Sequence, residues 1–248
     1  MSIKTDIQTN KATWELLHSW LDKASANGLN WLDCKIEKIV QTANKRTLFT
    51  SYSAVPRYLG KQKLNLSEKD LQAARELVTG WNPADLTTDR AGRILLLLSF
   101  PSEDSDRYLA TLEQIIAAAD VEEAIAFYRS LPLLPHPEKF QLRAAEGIRT
   151  NMTSVFNAVA LNNPYPARYL DDLAWNQMVL KALFVGSPLH PIYGLESRNN
   201  QQLSQMLIDY ASERLAANRT VSPELWELVT PFQPEVVAEL KSTSTGCN

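Results

Sequence analysis

Apolar residues recur at helical spacing along almost the whole of this 248-residue chain. Trp14, Leu17 and Leu21 mark one such stripe, and Leu32 and Ile36 belong to the next. Spacings of three and four residues place side chains on one face of an α-helix, where they can be buried together. Strict alternation of apolar and polar residues, which is typical of a half-buried strand, is never sustained. The sequence therefore predicts an all-α fold.

Breaks between the stripes divide the chain into about twelve helices. Because the breaks are only a few residues long, consecutive helices are expected to be antiparallel neighbours. No fixed-period repeat is evident, which predicts an irregular stack of antiparallel helical pairs, either an α-solenoid or a helical bundle. The expected bounds are 10–26, 30–45, 46–54, 67–79, 88–99, 104–118, 121–131, 137–146, 149–161, 167–184, 200–217 and 223–229, with a short helix near 234–241.

Local signals support several of these helix starts. Ser67-Glu-Lys-Asp70 and Asp120-Val-Glu-Glu123 each place a capping side chain three residues before an acid, the pattern of a capping box. Pro223 suits a first helical turn, where no amide hydrogen bond is lost. No stretch of linker composition separates two halves of the chain. We therefore expect a single all-helical domain over 1–241, followed by a disordered tail at 242–248.

Glycine spacing excludes two common nucleotide sites. The chain has eight glycines, and no two of them stand two or five residues apart. Neither the dinucleotide fingerprint G-x-G-x-x-G nor the P-loop G-x-x-x-x-G-K-[ST] can therefore be present. Phosphate binding by either of these loops is ruled out.

Cysteine and hydropathy patterns indicate a cytoplasmic protein. The two cysteines, Cys34 and Cys247, cannot form a disulfide framework, and the polar residues 1–11 contain no apolar segment of signal-peptide type. The longest apolar run, 94–98, is far too short for a membrane span. We expect a soluble protein whose contact with a membrane, if any, is peripheral.

Motifs for metal or nucleophilic chemistry are missing. Glu15-Leu-Leu-His18 is a single Glu-x-x-His pair, whereas a di-iron bundle needs two such pairs and two further carboxylates. His136 and His190 stand beside prolines with no second ligand at metal spacing, and Cys34 has no adjacent base. We expect no metal, no cofactor and no catalytic nucleophile.

Basic side chains are concentrated in residues 1–75, while the rest of the chain is acidic. Arg57, Lys61 and Lys63, together with neighbouring lysines and aromatic residues, form a candidate surface for anionic lipid, phosphate or an acidic partner. The alternative is an ordinary solvated helix face. No nucleic-acid partner is expected, because the chain has a pI near 5.7 and no nucleic-acid-binding motif.

Polar residues also gather within 146–151 and within the otherwise apolar helix 171–184. Polar groups in a helix buried on most sides need hydrogen-bonding partners, which the 146–151 segment could supply. The cluster is either an interhelical network that fixes register, or the polar floor of a pocket walled by Trp175, Tyr165 and Phe156. The candidate ligand-binding residues are Glu146, Arg149, Asn151, Tyr165, Asp172, Trp175, Asn176 and Lys181.

Longer motifs resemble one known family. They include Ala126-Phe-Tyr-Arg-Ser-Leu-Pro-Leu-Leu-Pro135, Glu146-Gly-Ile-Arg-Thr-Asn151, Asn163-Pro-Tyr-Pro166 and Ala174-Trp-Asn-Gln-Met-Val-Leu-Lys-Ala182. In these strings the chain resembles the EboA family, and the resemblance extends over roughly residues 45–232. It implies association with the bacterial ebo gene cluster, whose products are linked to moving secondary-metabolite precursors from cytoplasm to periplasm. No catalytic residue is implied by it.

Two functions follow as hypotheses from the resemblance and the missing motifs. The first is a non-catalytic binding or adaptor protein, which would contact a small-molecule metabolite, another protein of the ebo cluster, or the inner membrane through its basic surface. The second is an enzyme that modifies the metabolite, using Glu146 or Asp172 with Arg149 and Lys181 as an acid–base set. A carboxyl group with a raised pKa in a closed pocket would favour the enzyme.

Overall fold

A computed structural model describes residues 3–245 of the chain, with side chains described for residues 10–242. This part of the chain contains thirteen α-helices and no strand, so the all-α prediction is confirmed. The helices are α1 (Ile3–Thr42), α2 (Lys45–Leu59), α3 (Glu68–Leu77), α4 (Thr88–Ser99), α5 (Ser105–Ala118), α6 (Val121–Ser130), α7 (Gln141–Arg149), α8 (Thr153–Ala160), α9 (Tyr165–Tyr169), α10 (Asp172–Phe184), α11 (Gln201–Ala216), α12 (Pro223–Val229) and α13 (Pro234–Thr245).

The chain divides into two compact units, with Tyr165 ending the first and Pro166 beginning the second. The single domain expected over 1–241 stays a prediction. Residues 246–248 of the expected tail lie outside the described residues. Within the described range, no helix is both long enough and apolar enough to cross a membrane.

The first helix bends sharply at Ser25, whose φ of −156° and ψ of 57° are not helical. His18 and Asp33 lie 2.9 Å apart across the bend, although fifteen residues of straight helix would span about 22 Å. The chain therefore folds back on itself and forms two helical limbs, close to the two helices expected at 10–26 and 30–45. The predicted break at Asn27 and Gly28 lies two residues later than the observed bend.

Capping side chains start the helices where the sequence predicts. Capping boxes are formed by Ser67 with Asp70 and by Asp120 with Glu123. One expected helix, 167–184, is instead two helices. Asp171 accepts a hydrogen bond from the Ala174 amide at 2.7 Å and so opens α10 after α9 has ended.

Helix α4 lies at the centre of the first unit and packs against α1, α2 and α6. It is buried on most sides. Gly92 permits the contact with α2, because a Cβ atom at this position would lie 2.3 Å from a methyl carbon of Leu59 and 3.0 Å from one of Val55. In the second unit α11 has the corresponding role and packs against α10, α12 and α13.

A buried ion pair on α4 connects three helices. Arg93 and Asp89 are each 2% exposed, and their side chains lie 3.0 Å apart. The Arg93 Nε donates to the Tyr52 carbonyl on α2 at 3.1 Å, and the guanidinium lies over the Tyr52 ring. The Tyr52 hydroxyl donates to the Glu123 carbonyl on α6 at 2.8 Å, and burial raises the pKa of this phenol. The pair therefore fixes α2 and α6 relative to α4.

We expect Asp89→Asn to destabilise the protein by about 3–5 kcal/mol, because it leaves the buried Arg93 charge without its counter-ion. The matched control is Glu146→Gln, which breaks the exposed pair of Glu146 with Arg149 on α7 and should cost no more than about 1 kcal/mol. Urea denaturation followed by circular dichroism measures both. Equal losses for the two variants would contradict the structural role given to the buried pair.

Candidate functional site

The predicted ligand-binding residues of the first unit do not form a pocket by themselves. Glu146 and Arg149 pair with each other on α7 at 2.8 Å, and their side chains are 57% and 69% exposed. Asn151 is exposed on the segment that follows. Tyr165 is fully buried, and its hydroxyl donates to the Pro137 carbonyl at 2.6 Å. These residues are distributed between the surface and the core.

Glycine at position 147 has a packing role within this motif. A Cβ atom there would lie 2.6 Å from the ring of Tyr128, so α7 reaches α6 only because the residue has no side chain. Burial raises the pKa of the Tyr128 hydroxyl, while the neighbouring Arg143 opposes the shift. Arg143 also pairs with Glu113, its Nε donating at 3.1 Å. The sequence offered no sign of these partners, which come from α5 and α6.

Arg198 organises the predicted residues at the start of the second unit. Its guanidinium donates to the Leu170 carbonyl at 2.8 Å and to Asp172 at 2.6 Å, and it lies 4.9 Å from the centre of the Trp175 ring. It also donates to two carbonyls of α9. Trp175 is fully buried beneath it. Arg198 thus satisfies the end of α9 and joins it to α10.

Asn176 and Asn200 form a reciprocal pair of amide hydrogen bonds between α10 and the start of α11. The two N–H···O distances are 3.2 and 2.9 Å. Asn176 is fully buried, and Asn200 also accepts from the Leu203 amide as the helix cap. These contacts have the geometry of a network that fixes register. The partners Arg198 and Asn200 differ from the 146–151 segment that the sequence indicated.

The sequence indicated that the helix at 171–184 is buried on most sides, and this is wrong at both of its ends. Leu173 is 55% exposed and Phe184 is 64% exposed, because the core covers only the middle of α10. Lys181 is half-buried, and partial desolvation lowers its pKa. The helix therefore presents apolar side chains to solvent as well as to the core.

A groove of about 780 Å³ lies within the second unit, between the 189–199 segment and the region of α12. Tyr193 and Phe232 form aromatic walls, and they remain 37% and 40% exposed. Leu189, Ile192 and Leu228 supply buried apolar surface. Sequence reasoning missed the groove, because its walls come from two segments about thirty residues apart in a region without a recognised motif.

Three carboxylates, those of Glu196, Glu224 and Glu227, line the groove. The carboxylates of Glu196 and Glu227 are exposed and make no ion pair among the described residues. Asn199 donates to the Leu228 carbonyl at 2.8 Å, and its own oxygen is buried without a partner in the described part of the chain. No lysine or arginine lines the groove as described. Its chemistry therefore favours a ligand that donates hydrogen bonds or carries positive charge.

Glu224 holds one wall of the groove in place. Its carboxylate accepts hydrogen bonds from the Leu189 amide at 3.0 Å and the His190 amide at 2.9 Å. Burial acts to raise the pKa of Glu224, but these backbone hydrogen bonds together with the His190 ring outweigh it and hold the pKa below its usual value. The 189–199 segment is thus fastened to the first turn of α12.

The predicted anionic-partner residues Arg57, Lys61 and Lys63 are all exposed in the first unit. Beside them, the rings of Trp31 and Tyr58 stack with their centres 4.1 Å apart. Among the described residues, no group of three or more histidine, cysteine, aspartate or glutamate side chains is arranged to hold a metal ion.

The chain was compared with protein families, curated proteins and solved structures. No curated protein and no solved structure matches it. The family model described as metabolite traffic protein EboA matches residues 13–230, which covers both compact units. The chain therefore belongs to the EboA family of metabolite traffic proteins.

Proposed function

We propose that this protein takes part in metabolite traffic as a non-catalytic binding component, and that the groove between the 189–199 segment and the α12 region holds the metabolite. The observation that carries the proposal is the combination of about 780 Å³ of space, two exposed aromatic walls and carboxylates without partners. Small-molecule sites are commonly concave, largely apolar and supplied with a few converging polar groups. The groove has each of these properties.

The groove's chemistry supports one class of ligand. Tyr193 and Phe232 offer flat apolar surface to a planar ring system. Glu196 and Glu227 would accept hydrogen bonds from amine, amide or hydroxyl groups of the ligand. An aromatic metabolite with donor groups or a positive charge fits this arrangement, whereas a phosphate ester would meet carboxylates of its own sign.

Binding is a better-supported function than catalysis, because the candidate acid–base residues do not have the surroundings that catalysis needs. An effective general acid needs a carboxyl group that is sheltered from water and positioned against a substrate. The side chains of Glu146 and Asp172 are 57% and 78% exposed, and each pairs with an arginine. Neither carboxylate is therefore sheltered from water as a general acid must be.

The transport direction also forms part of the proposal. Family membership gives the chain a general role in metabolite traffic. We infer that it holds a precursor on the cytoplasmic side before the precursor moves to the periplasm, alone or with other proteins of the ebo cluster. A groove open to solvent suits such a role, because the metabolite must be released as readily as it is bound.

The first test of the proposal removes the charges of two groove carboxylates. We expect native mass spectrometry of the protein purified from its own host to release a reproducible small-molecule mass on denaturation. In the double variant Glu196→Gln and Glu227→Gln, the amount of bound small molecule should fall at least about tenfold, because charge-assisted hydrogen bonds are lost. The matched control, Glu213→Gln with Glu235→Gln, removes two exposed carboxylates of the same unit that do not line the groove.

Two outcomes would contradict the proposal. One is a wild-type protein that releases no small molecule, and the other is a double groove variant that retains as much as the control. Release of a chemically altered molecule after incubation with the isolated metabolite would instead establish catalysis. Thermal melting of all the variants confirms that each is folded.

Glu224→Gln should mainly lower the free energy of unfolding, because Glu224 fastens the groove wall. Loss of ligand is not expected to be its primary effect. The native pKa of Glu224 is depressed, so its charge stabilises the fold above the unfolded pKa of about 4.3. This contribution is lost as the pH falls through the lower native pKa. Urea midpoints of wild type and variant should therefore differ at pH 7 and converge on acidification. A pH-independent difference would refute the assigned role.

A further inference from the structure

Seven basic side chains between residues 35 and 63 have no acidic partner. In the described part of the chain, none of them forms an ion pair, whereas most of the arginines outside this segment pair with a carboxylate. Every lysine and arginine of this segment therefore lacks an ion pair, whereas the rest of the described chain contains both paired and unpaired cations. The seven are Lys35, Lys38, Lys45, Arg46, Arg57, Lys61 and Lys63.

The nearest acids on the same helical limb are already engaged. Asp33 bonds to His18 at 2.9 Å, and Glu37 accepts from the Gln41 amide at 3.1 Å. The Asp33 carboxylate reaches across to the first limb of α1, and the Glu37 carboxylate stays on the second limb. Within residues 35–63, seven basic side chains outnumber the single carboxylate, that of Glu37, so the segment keeps a clear positive excess.

Helix geometry gathers part of this charge on one surface. Trp31, Lys35 and Lys38 stand at positions i, i+4 and i+7 on the second limb of α1, so they form one stripe. The Trp31 ring stacks on Tyr58 of α2 at 4.1 Å, and the Lys35 ammonium lies 5.9 Å from the centre of the Trp31 ring. Arg57 adjoins Tyr58 and is exposed.

We propose that this surface docks on an anionic lipid bilayer. The basic face is defined by Trp31, Lys35, Lys38, Arg57 and Tyr58, together with Lys61, which is exposed just after the end of α2. It belongs to the first unit alone and is independent of the groove proposed for the metabolite.

Charge complementarity is the first argument for a bilayer. Basic side chains near an anionic membrane surface each contribute about 1 kcal/mol, and the attraction acts within a Debye length. Several unpaired cations on one face are therefore enough for reversible attachment. Lysines on flexible stems can follow mobile lipid headgroups, whereas a folded acidic protein would have to match their spacing.

Aromatic side chains supply the second argument. Tryptophan and tyrosine prefer the interface between headgroups and hydrocarbon, where one part of the ring system is apolar and the other is hydrated. Tyr58 is 45% exposed, stacks on Trp31 and follows the exposed Arg57 in the chain. This arrangement places apolar rings among the cations, as an interfacial surface requires.

The test is sedimentation of the full-length protein with vesicles. Wild type should bind phosphatidylcholine vesicles that contain 30% phosphatidylglycerol, and it should bind pure phosphatidylcholine at least about tenfold more weakly. Raising the salt concentration from 50 to 500 mM should release it. The triple variant Lys35→Glu, Arg57→Glu and Lys61→Glu should lose at least about tenfold in vesicle affinity.

A matched triple variant controls for net charge. Lys11→Glu, Lys69→Glu and Arg219→Glu make the same charge change at positions outside the basic face, and this variant should bind vesicles more tightly than the basic-face variant by about tenfold. Equal binding by the two triple variants would overturn the proposal. So would wild-type protein that ignores the anionic vesicles, or that binds soluble polyglutamate as tightly as it binds them. Circular dichroism confirms that all three proteins are folded.

Discussion

The buried pair of Asp89 and Arg93 is the contact on which the rest of the first unit depends. Two charges taken out of water are tolerated only when they satisfy each other and find further hydrogen bonds, so α2 must bring the Tyr52 carbonyl to the guanidinium. Gly92, between the two charged residues, lets α2 come close enough. Tyr58, one residue before Leu59 in that contact, is thereby held where it stacks on Trp31. An ionic contact in the core thus determines where an aromatic surface is presented.

Local physics made much of the fold predictable. The stripes of apolar residues and the boxes at Ser67 and Asp120 depend on neighbours three or four positions away, and such spacing can be read directly from a sequence. The break at Asp171 is also a local capping effect, but the apolar pattern runs across it and concealed it. By contrast, the partner of Asp172 is Arg198, 26 residues further along the chain, and tertiary packing alone selects it. The polar residues were recognisable, while their partners were not.

The groove could not be predicted from the sequence either, because tertiary packing forms it. Its aromatic walls, Tyr193 and Phe232, lie in turns between helices, which have no periodicity to mark them. Its acidic lining contrasts with the unpaired cations of the basic face, so the two proposed binding surfaces would favour ligands of opposite charge. A traffic protein with both properties could bind a metabolite in the groove and a membrane through the basic face. The two ligands would not compete for one site. Neither surface requires a reactive group, which agrees with a role in holding a metabolite.

The reciprocal hydrogen bonds of Asn176 and Asn200 have a consequence for how the second unit responds to its surroundings. An amide has no proton to gain or lose near neutrality and no net charge to be screened. The tie between α10 and α11 is therefore insensitive to acidity near neutrality and to ionic strength. Attachment through exposed cations does respond to dissolved ions. A rise in salt concentration could accordingly release the protein from a charged surface while leaving the framework beside the proposed metabolite groove unaltered.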